Sequence, residues 1–180
     1  MALHYNTIGN ENTADGFFTL FCNISGSYNI AQGSNALYHN ISGSENTANG
    51  FMALFSNTTG NSNTAYGRGT LDSNTTGTNN TAIGAGAGLK NIIGSGNVFI
   101  GYNAGADEKS SNKLYVANSN TANPLIYGDF ATKKLTINDV LKITPRAAAP
   151  LNPSEGEIYV NSSTHHILCY LNGAWKQIDN

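Results

Sequence analysis

One interval governs what this chain can fold into. Cut every seventeen residues from Asn12, it falls into six lines: NTADGFFTLFCNISGSY (12–28), NIAQGSNALYHNISGSE (29–45), NTANGFMALFSNTTGNS (46–62), NTAYGRGTLDSNTTGTN (63–79), NTAIGAGAGLKNIIGSG (80–96) and NVFIGYNAGADEKSSNK (97–113). Position 1 is Asn and position 5 is Gly in every line. Position 9 is Leu in the first four (Leu20, Leu37, Leu54, Leu71), and the first five carry Asn at position 12 and Gly at position 15. Residues 2–11 fit positions 8–17 of a further copy, so the chain starts inside a repeat, as a fragment of a longer protein would. Such self-similarity at a fixed period is the signature of stacked-repeat architectures.

Seventeen residues at about 3.3 Å each trace a loop of roughly 55 Å, enough for one coil of a narrow parallel β-solenoid. Fixed Gly supplies corners, and Asn can bond to neighbouring backbone or to the same Asn one coil away. Gly and Asn recur too often for helix. Only short strands fit between the corners, and each coil offers a thin interior: Ala at position 3, a small residue at position 8 and Leu at position 9. A period of two would place positions 7 and 9 on one face and 6, 8 and 10 on the other. The second face then carries Phe17, Phe21, Phe51 and Phe55. One slender coil leaves such rings in water, which predicts packing against other copies of the chain. The expected packing or inter-chain set is therefore Phe17, Leu20, Phe21, Leu37, Phe51, Leu54, Phe55 and Leu71.

The stretches "NTAIGAGAG" and "NVFIGYNAG" resemble head repeats of trimeric autotransporter adhesins. The "NTAxGxxALxxNTTG" form is similar to repeats in tail-fibre-like proteins of phages and bacteria. The resemblance covers about residues 1–106 and implies three parallel β-rolls packed as a homotrimer. The period departs from the usual 14 of the adhesin heads. Residues 111–138 also resemble the segment that follows such repeats in tail-fibre-like proteins.

The expected organisation is all-β: a solenoid of 17-residue repeats over 1–106, a β neck over 107–145 and a β-meander cap over 146–180. Seven of the nine Lys and Arg lie beyond residue 106. In the neck, LYVAN, PLIYGDF and KLTIN read as strands. Residues 144–156 hold three of the four prolines and read as an extended linker. In the cap, EIYVN (157–161) and HILCYL (166–171) precede AWKQI (174–178) across Asn172-Gly173, a strong hairpin signal. So small a piece needs trimerisation or docking to be stable.

Charged residues are 11% of the chain and the net charge is −2, so the basic stripe of a nucleic-acid binder is missing. Asn takes their place, at 27 residues. No apolar run reaches the length of a membrane helix, and no membrane insertion is expected. Cys22 and Cys169 are too few for a disulfide framework and read as free thiols. No acid recurs in register, so paired catalytic carboxylates are not visible. The period is no multiple of six, as acyltransferase hexapeptides require, and calcium-binding nonapeptides would need a regular Asp. "GAGAG" (84–88) lacks the Lys and the strand–helix setting of a phosphate loop. No enzyme activity and no cofactor are expected. His165-His166 reads as a surface turn rather than a metal site, since adjacent strand residues point to opposite faces. Position 12 heads four glycosylation sequons (Asn23, Asn40, Asn57, Asn74), which an internal Asn ladder would leave unmodified. Thr at position 2 is too irregular for an ice-binding face.

These readings converge on an extracellular, non-enzymatic trimeric fibre that displays a tip for attachment to a host glycan or protein receptor. The candidate contact residues are Tyr159, His165, His166, Tyr170 and Trp175, with Trp175 also suited to a trimer core. The alternative is a structural spacer or assembly filament that binds no receptor.

Overall fold

The computed structural model describes residues 1–179. Positions 2–4 of each repeat form a three-residue strand: β1 (Thr13–Asp15), β2 (Ile30–Gln32), β3 (Thr47–Asn49), β4 (Thr64–Tyr66), β5 (Thr81–Ile83) and β6 (Val98–Ile100). Each pairs parallel with the next in strict repeat register, so that Ala14, Ala31, Ala48, Ala65, Ala82 and Phe99 form one column. The fold is a parallel β-solenoid whose turns are about seventeen residues long, and no helix occurs among the described residues.

Positions 6–10 do not alternate as a strand would. They form tight turns in which positions 7 and 9 are both left-handed: Phe18 at φ 54° and Met52 at 57°, and the four leucines at 50–52°. Two left-handed residues one apart turn both position 8 and position 9 inward, and Ala36, Leu37, Ala53 and Leu54 are all sealed from solvent. The left-handed conformation costs a non-glycine residue about 1–2 kcal/mol. Burying a leucine returns about 1.5–3 kcal/mol, which is why the pattern survives with Leu there. "GAGAG" has the same origin. Gly84, Gly86 and Gly88 occupy positions 5, 7 and 9, where the coil runs at positive φ.

Two asparagine ladders line the interior. At position 12, Asn23 Nδ2 donates to Asn6 Oδ1 (2.6 Å), and Asn40, Asn57 and Asn74 each donate in turn to the Asn before (2.7, 2.8 and 2.9 Å). Each also donates to the position-15 glycine carbonyl three residues on, as Asn40 does to Gly43 at 2.8 Å. At position 1, Asn46 Nδ2 donates to Asn29 Oδ1 (3.1 Å) and to the Gly60 carbonyl (2.9 Å). Position 15 must be glycine for room: a Cβ on Gly43 would stand 2.6 Å from Asn57 Nδ2. Every rung points the same way, from each coil to the one before it.

The regularity changes at the fifth coil. Position 9 is there Gly88, and a Cβ on it would come 2.6 Å from the ring of Phe99, which fills position 3 of the sixth coil. At this step the position-12 ladder stops, and Asn74 Oδ1 and Asn91 Oδ1 are buried without a hydrogen-bond partner. Strand β7 (Lys113–Val116) still pairs parallel to β6, with Leu114 opposite Val98, one residue short of the repeat. Strands β8 (Ile126–Asp129) and β9 (Lys134–Ile137) then return antiparallel, extending the same sheet to nine strands. Tyr115 packs against Phe99 and Tyr127, with ring centroids 6.0 and 5.2 Å away.

Compact units span Met1–Asp139 and Val140–Asn180. The second holds an antiparallel three-stranded sheet of β10 (Ile158–Val160), β11 (Ile167–Leu171) and β12 (Ala174–Gln177). Asn172 and Gly173 join β11 to β12 with φ of 53° and 76°, the positive pair a two-residue hairpin turn demands.

Candidate functional site

The solenoid surface is uneven, and the unevenness follows the positions at which the repeat varies. At position 10, His4, Phe21, Tyr38 and Phe55 stack face to face along the coils, with centroids 5.0, 5.3 and 5.4 Å apart. Phe18 packs edge-on against Phe21. The phenylalanines of the predicted set are thus divided. Phe21 and Phe55 are half-buried members of this stack, while Phe17 and Phe51 at position 6 remain exposed. Leu20, Leu37, Leu54 and Leu71 lie wholly inside the coil. Tyr38 and His4 belong to the column but lie outside the predicted set, although their spacing of seventeen from Phe21 signals them.

The stack ends at Phe55, because position 10 of the next coil is Asp72. Nearby, position 7 changes to Gly69 and Gly86, and position 6 to Arg68 and then Ala85. Large side chains return as Tyr102 and Asn103. The missing bulk leaves a groove of about 350 Å³, closed by Phe51 and Met52 at one end and by Tyr102 and Asn103 at the other. The Arg68 guanidinium lies 6.0 Å from the centre of the Phe51 ring. Asp72 is half-buried, and one of its carboxylate oxygens is sealed from solvent with no donor against it. Burial pushes its carboxyl above the usual range.

Beyond the coils, Lys113 Nζ donates to Asp129 Oδ2 at 3.0 Å across β7 and β8, which holds the Asp129 carboxyl below its ordinary value. Glu108 accepts the Tyr115 hydroxyl at 2.7 Å and the Ser110 amide at 2.7 Å. Burial alone would raise the Glu108 carboxyl, but these bonds outweigh it and the net shift is downward. Burial, with the Glu108 bond, drives the Tyr115 phenol upward.

The C-terminal candidates fall into two groups. Tyr159 is only 6% exposed, and Trp175 meets it edge-on at 4.7 Å and Tyr170 at 5.4 Å. These rings are spent largely on one another, as the core of the small sheet. His165 is an exposed turn residue with φ 61°, and His166 Nδ1 lies 3.4 Å from an Asp179 carboxylate oxygen. Among the described residues no three His, Cys, Asp or Glu side chains gather where a metal ion would sit. Cys22 and Cys169 are free thiols. The sequon asparagines Asn23, Asn40, Asn57 and Asn74 are fully buried with their amides donating into the ladder, so no nitrogen is presented for glycosylation. No helix among the described residues is long and apolar enough to cross a membrane.

Comparison of the chain with protein-family models, with curated proteins and with solved structures finds no match.

Proposed function

We propose that this chain is a segment of an extracellular, non-enzymatic trimeric fibre that carries an attachment surface away from a particle or cell. The observation that supports it is the set of large apolar side chains left exposed along the coils, at position 6 in the first and third and at position 4 in the fourth to sixth. Phe17 and Phe51 at position 6 are 60% and 43% exposed, and Tyr66, Ile83 and Ile100 at position 4 are 57%, 45% and 40% exposed. A coil this thin has no interior left to receive them, so a neighbouring copy is the covering surface. The likeness of the repeats to those of tail-fibre-like proteins and adhesin heads points to three copies and to attachment. The receptor in this reading is a surface glycan or protein, met through the exposed His165 and half-buried His166 or through the solenoid wall.

Sedimentation equilibrium tests the assembly: a particle of three times the 19.0 kDa chain mass is expected, and a monomer would sink the trimer. Glycan-array and whole-cell binding by the intact protein tests attachment. Silence in both leaves the spacer filament as the better account.

A further inference from the structure

We infer that the groove over Gly69 and Gly86 is a carbohydrate-binding site, shaped for a neutral oligosaccharide of about two sugar rings. The inference rests on the attachment reading for its purpose, while its chemistry stands on the groove. The opening spans three coil steps, from Met52 to Asn103, or roughly 14 Å at about 4.8 Å per step. Its volume of about 350 Å³ falls at the small end of ligand pockets.

The lining selects among ligands. Phe51 and Tyr102 offer exposed rings at opposite ends, suited to the C–H faces of sugars. Between them stand an acceptor, Asp72, and two donors, the Arg68 guanidinium and the Asn103 amide. Gly86 lets Asn103 lie across the floor, since any Cβ there would collide with its Oδ1. Among the described residues Asp72 forms no ion pair, so its half-buried carboxylate lacks a charged partner. A flat hydrocarbon would strip water from Asp72 without replacing it. An anion would face that carboxylate, and a cation would face Arg68. A polyol donates to Asp72 and accepts from Arg68 and Asn103 at once. Coils four and five carry their exposed apolar side chains, Tyr66 and Ile83, at position 4 rather than position 6, so the middle of the groove lies off the row given to a neighbouring copy, and Phe51 is the end of that row.

The test uses the intact chain on an array of neutral and charged oligosaccharides, followed by titration calorimetry with the best neutral hit. Expected are binding of a neutral sugar and a loss of at least about tenfold on Asp72→Asn, the equivalent of one charge-assisted hydrogen bond. Gly69→Asn should weaken binding similarly by filling the floor. Its backbone is already suitable, since Gly69 at φ 62° matches Asn35 at 60° and Asn103 at 51° on the same position. Tyr102→Ala should reduce binding without changing the oligomer mass, and His165→Ala/His166→Ala should leave binding intact. No neutral sugar bound, or affinity indifferent to the groove variants, overturns the inference. Binding lost only with the histidine pair also overturns it, yet leaves attachment standing, as does adhesion to cells with a silent array. A fall in oligomer mass on Tyr102→Ala would make the groove a contact between copies and likewise reject the sugar site.

Discussion

The directionality of the buried ladder makes a quantitative prediction that composition alone could not. Asn57 takes part in three hydrogen bonds through its side chain. It donates to Asn40 Oδ1 at 2.8 Å and to the Gly60 carbonyl at 3.0 Å, and it accepts from Asn74 Nδ2 at 2.9 Å. At about 1 kcal/mol per bond, Asn57→Ala removes about 3 kcal/mol, and orphaning Asn40 Oδ1 in a sealed interior adds about 1–2. The same substitution at Asn91 creates a similar void but breaks a single side-chain bond, to the Gly94 carbonyl at 3.0 Å. Its Oδ1 already lacks a partner, so about 1 kcal/mol is lost. The melting temperature, followed by circular dichroism, should therefore drop by roughly 12–15 °C for Asn57→Ala and by roughly 3 °C for Asn91→Ala. Both residues are fully buried asparagines at the same repeat position, so burial and side-chain volume cancel between them. Equal losses at the two sites would refute the ladder as a source of stability and leave only packing.

Three further outcomes follow from charge and backbone. The Asp72 carboxyl is held above its ordinary value of 3.8, so its contribution is fully present below that pH and is lost as pH rises through the folded value. Asp72→Asn should raise the melting temperature at pH 7 and leave it nearly unchanged at pH 3, which also means that sugar binding lost in this variant cannot be ascribed to unfolding. Glu108 and Asp129 are shifted the other way, from ordinary values of 4.5 and 3.8. Their contribution is present above those values and fades as pH falls through the lower folded ones, so an acid titration of stability should be shallower in Glu108→Gln than in the parent. Gly173 sits at φ 76° with open space where a methyl group would stand, so Gly173→Ala should cost the small sheet about 1 kcal/mol through backbone strain alone, read by its own melting transition.

How much of this was legible follows from which forces act within a repeat and which act between variable positions. The column of Ala14 to Ala82, the buried leucines and the internal asparagines could be read because a stacking unit needs the same side chain in the same place. The turn over positions 6–10 could not. A run such as FMALF (51–55) reads as a strand by residue preference, and leucine is a poor guide to left-handed backbone. The pattern shows itself in glycine only where the later coils place Gly69, Gly86, Gly88 and Gly105 at positions 7 and 9. The groove was equally hidden, since its glycines look like ordinary repeat variation until Phe51 and Tyr102 are seen to flank them. In the C-terminal unit the hairpin was marked by Asn172-Gly173, but the packing of Tyr159 against Trp175 depends on pairing across three strands.

The change of interior packing at the fifth coil can be tested by reversing it. Leu at position 9 with Ala at position 3 has been replaced by Gly88 with Phe99, and the two changes fit only together. Gly88→Leu alone drives a side chain into the Phe99 ring, because even its Cβ would stand 2.6 Å from that ring. Phe99→Ala alone leaves a large void in a site with no solvent exposure, at about 3–5 kcal/mol. The pair would restore the Leu–Ala contact of coils one to four at this step, with the leucine backbone already suited to the φ of 61° found at Gly88, but it leaves the space over Gly105, which the Phe99 ring also fills, unoccupied. The double variant should then be more stable than the sum of the single losses by at least about 2 kcal/mol, a coupling a double-mutant cycle reads directly. Tyr115 now rests on Phe99 and leads into the antiparallel return of β8 and β9. The recovery should accordingly be incomplete, with the remaining deficit at the Gly105 turn and β7–β9, visible as faster amide exchange there. Additive losses would mean that Gly88 and Phe99 are not coupled through shared packing.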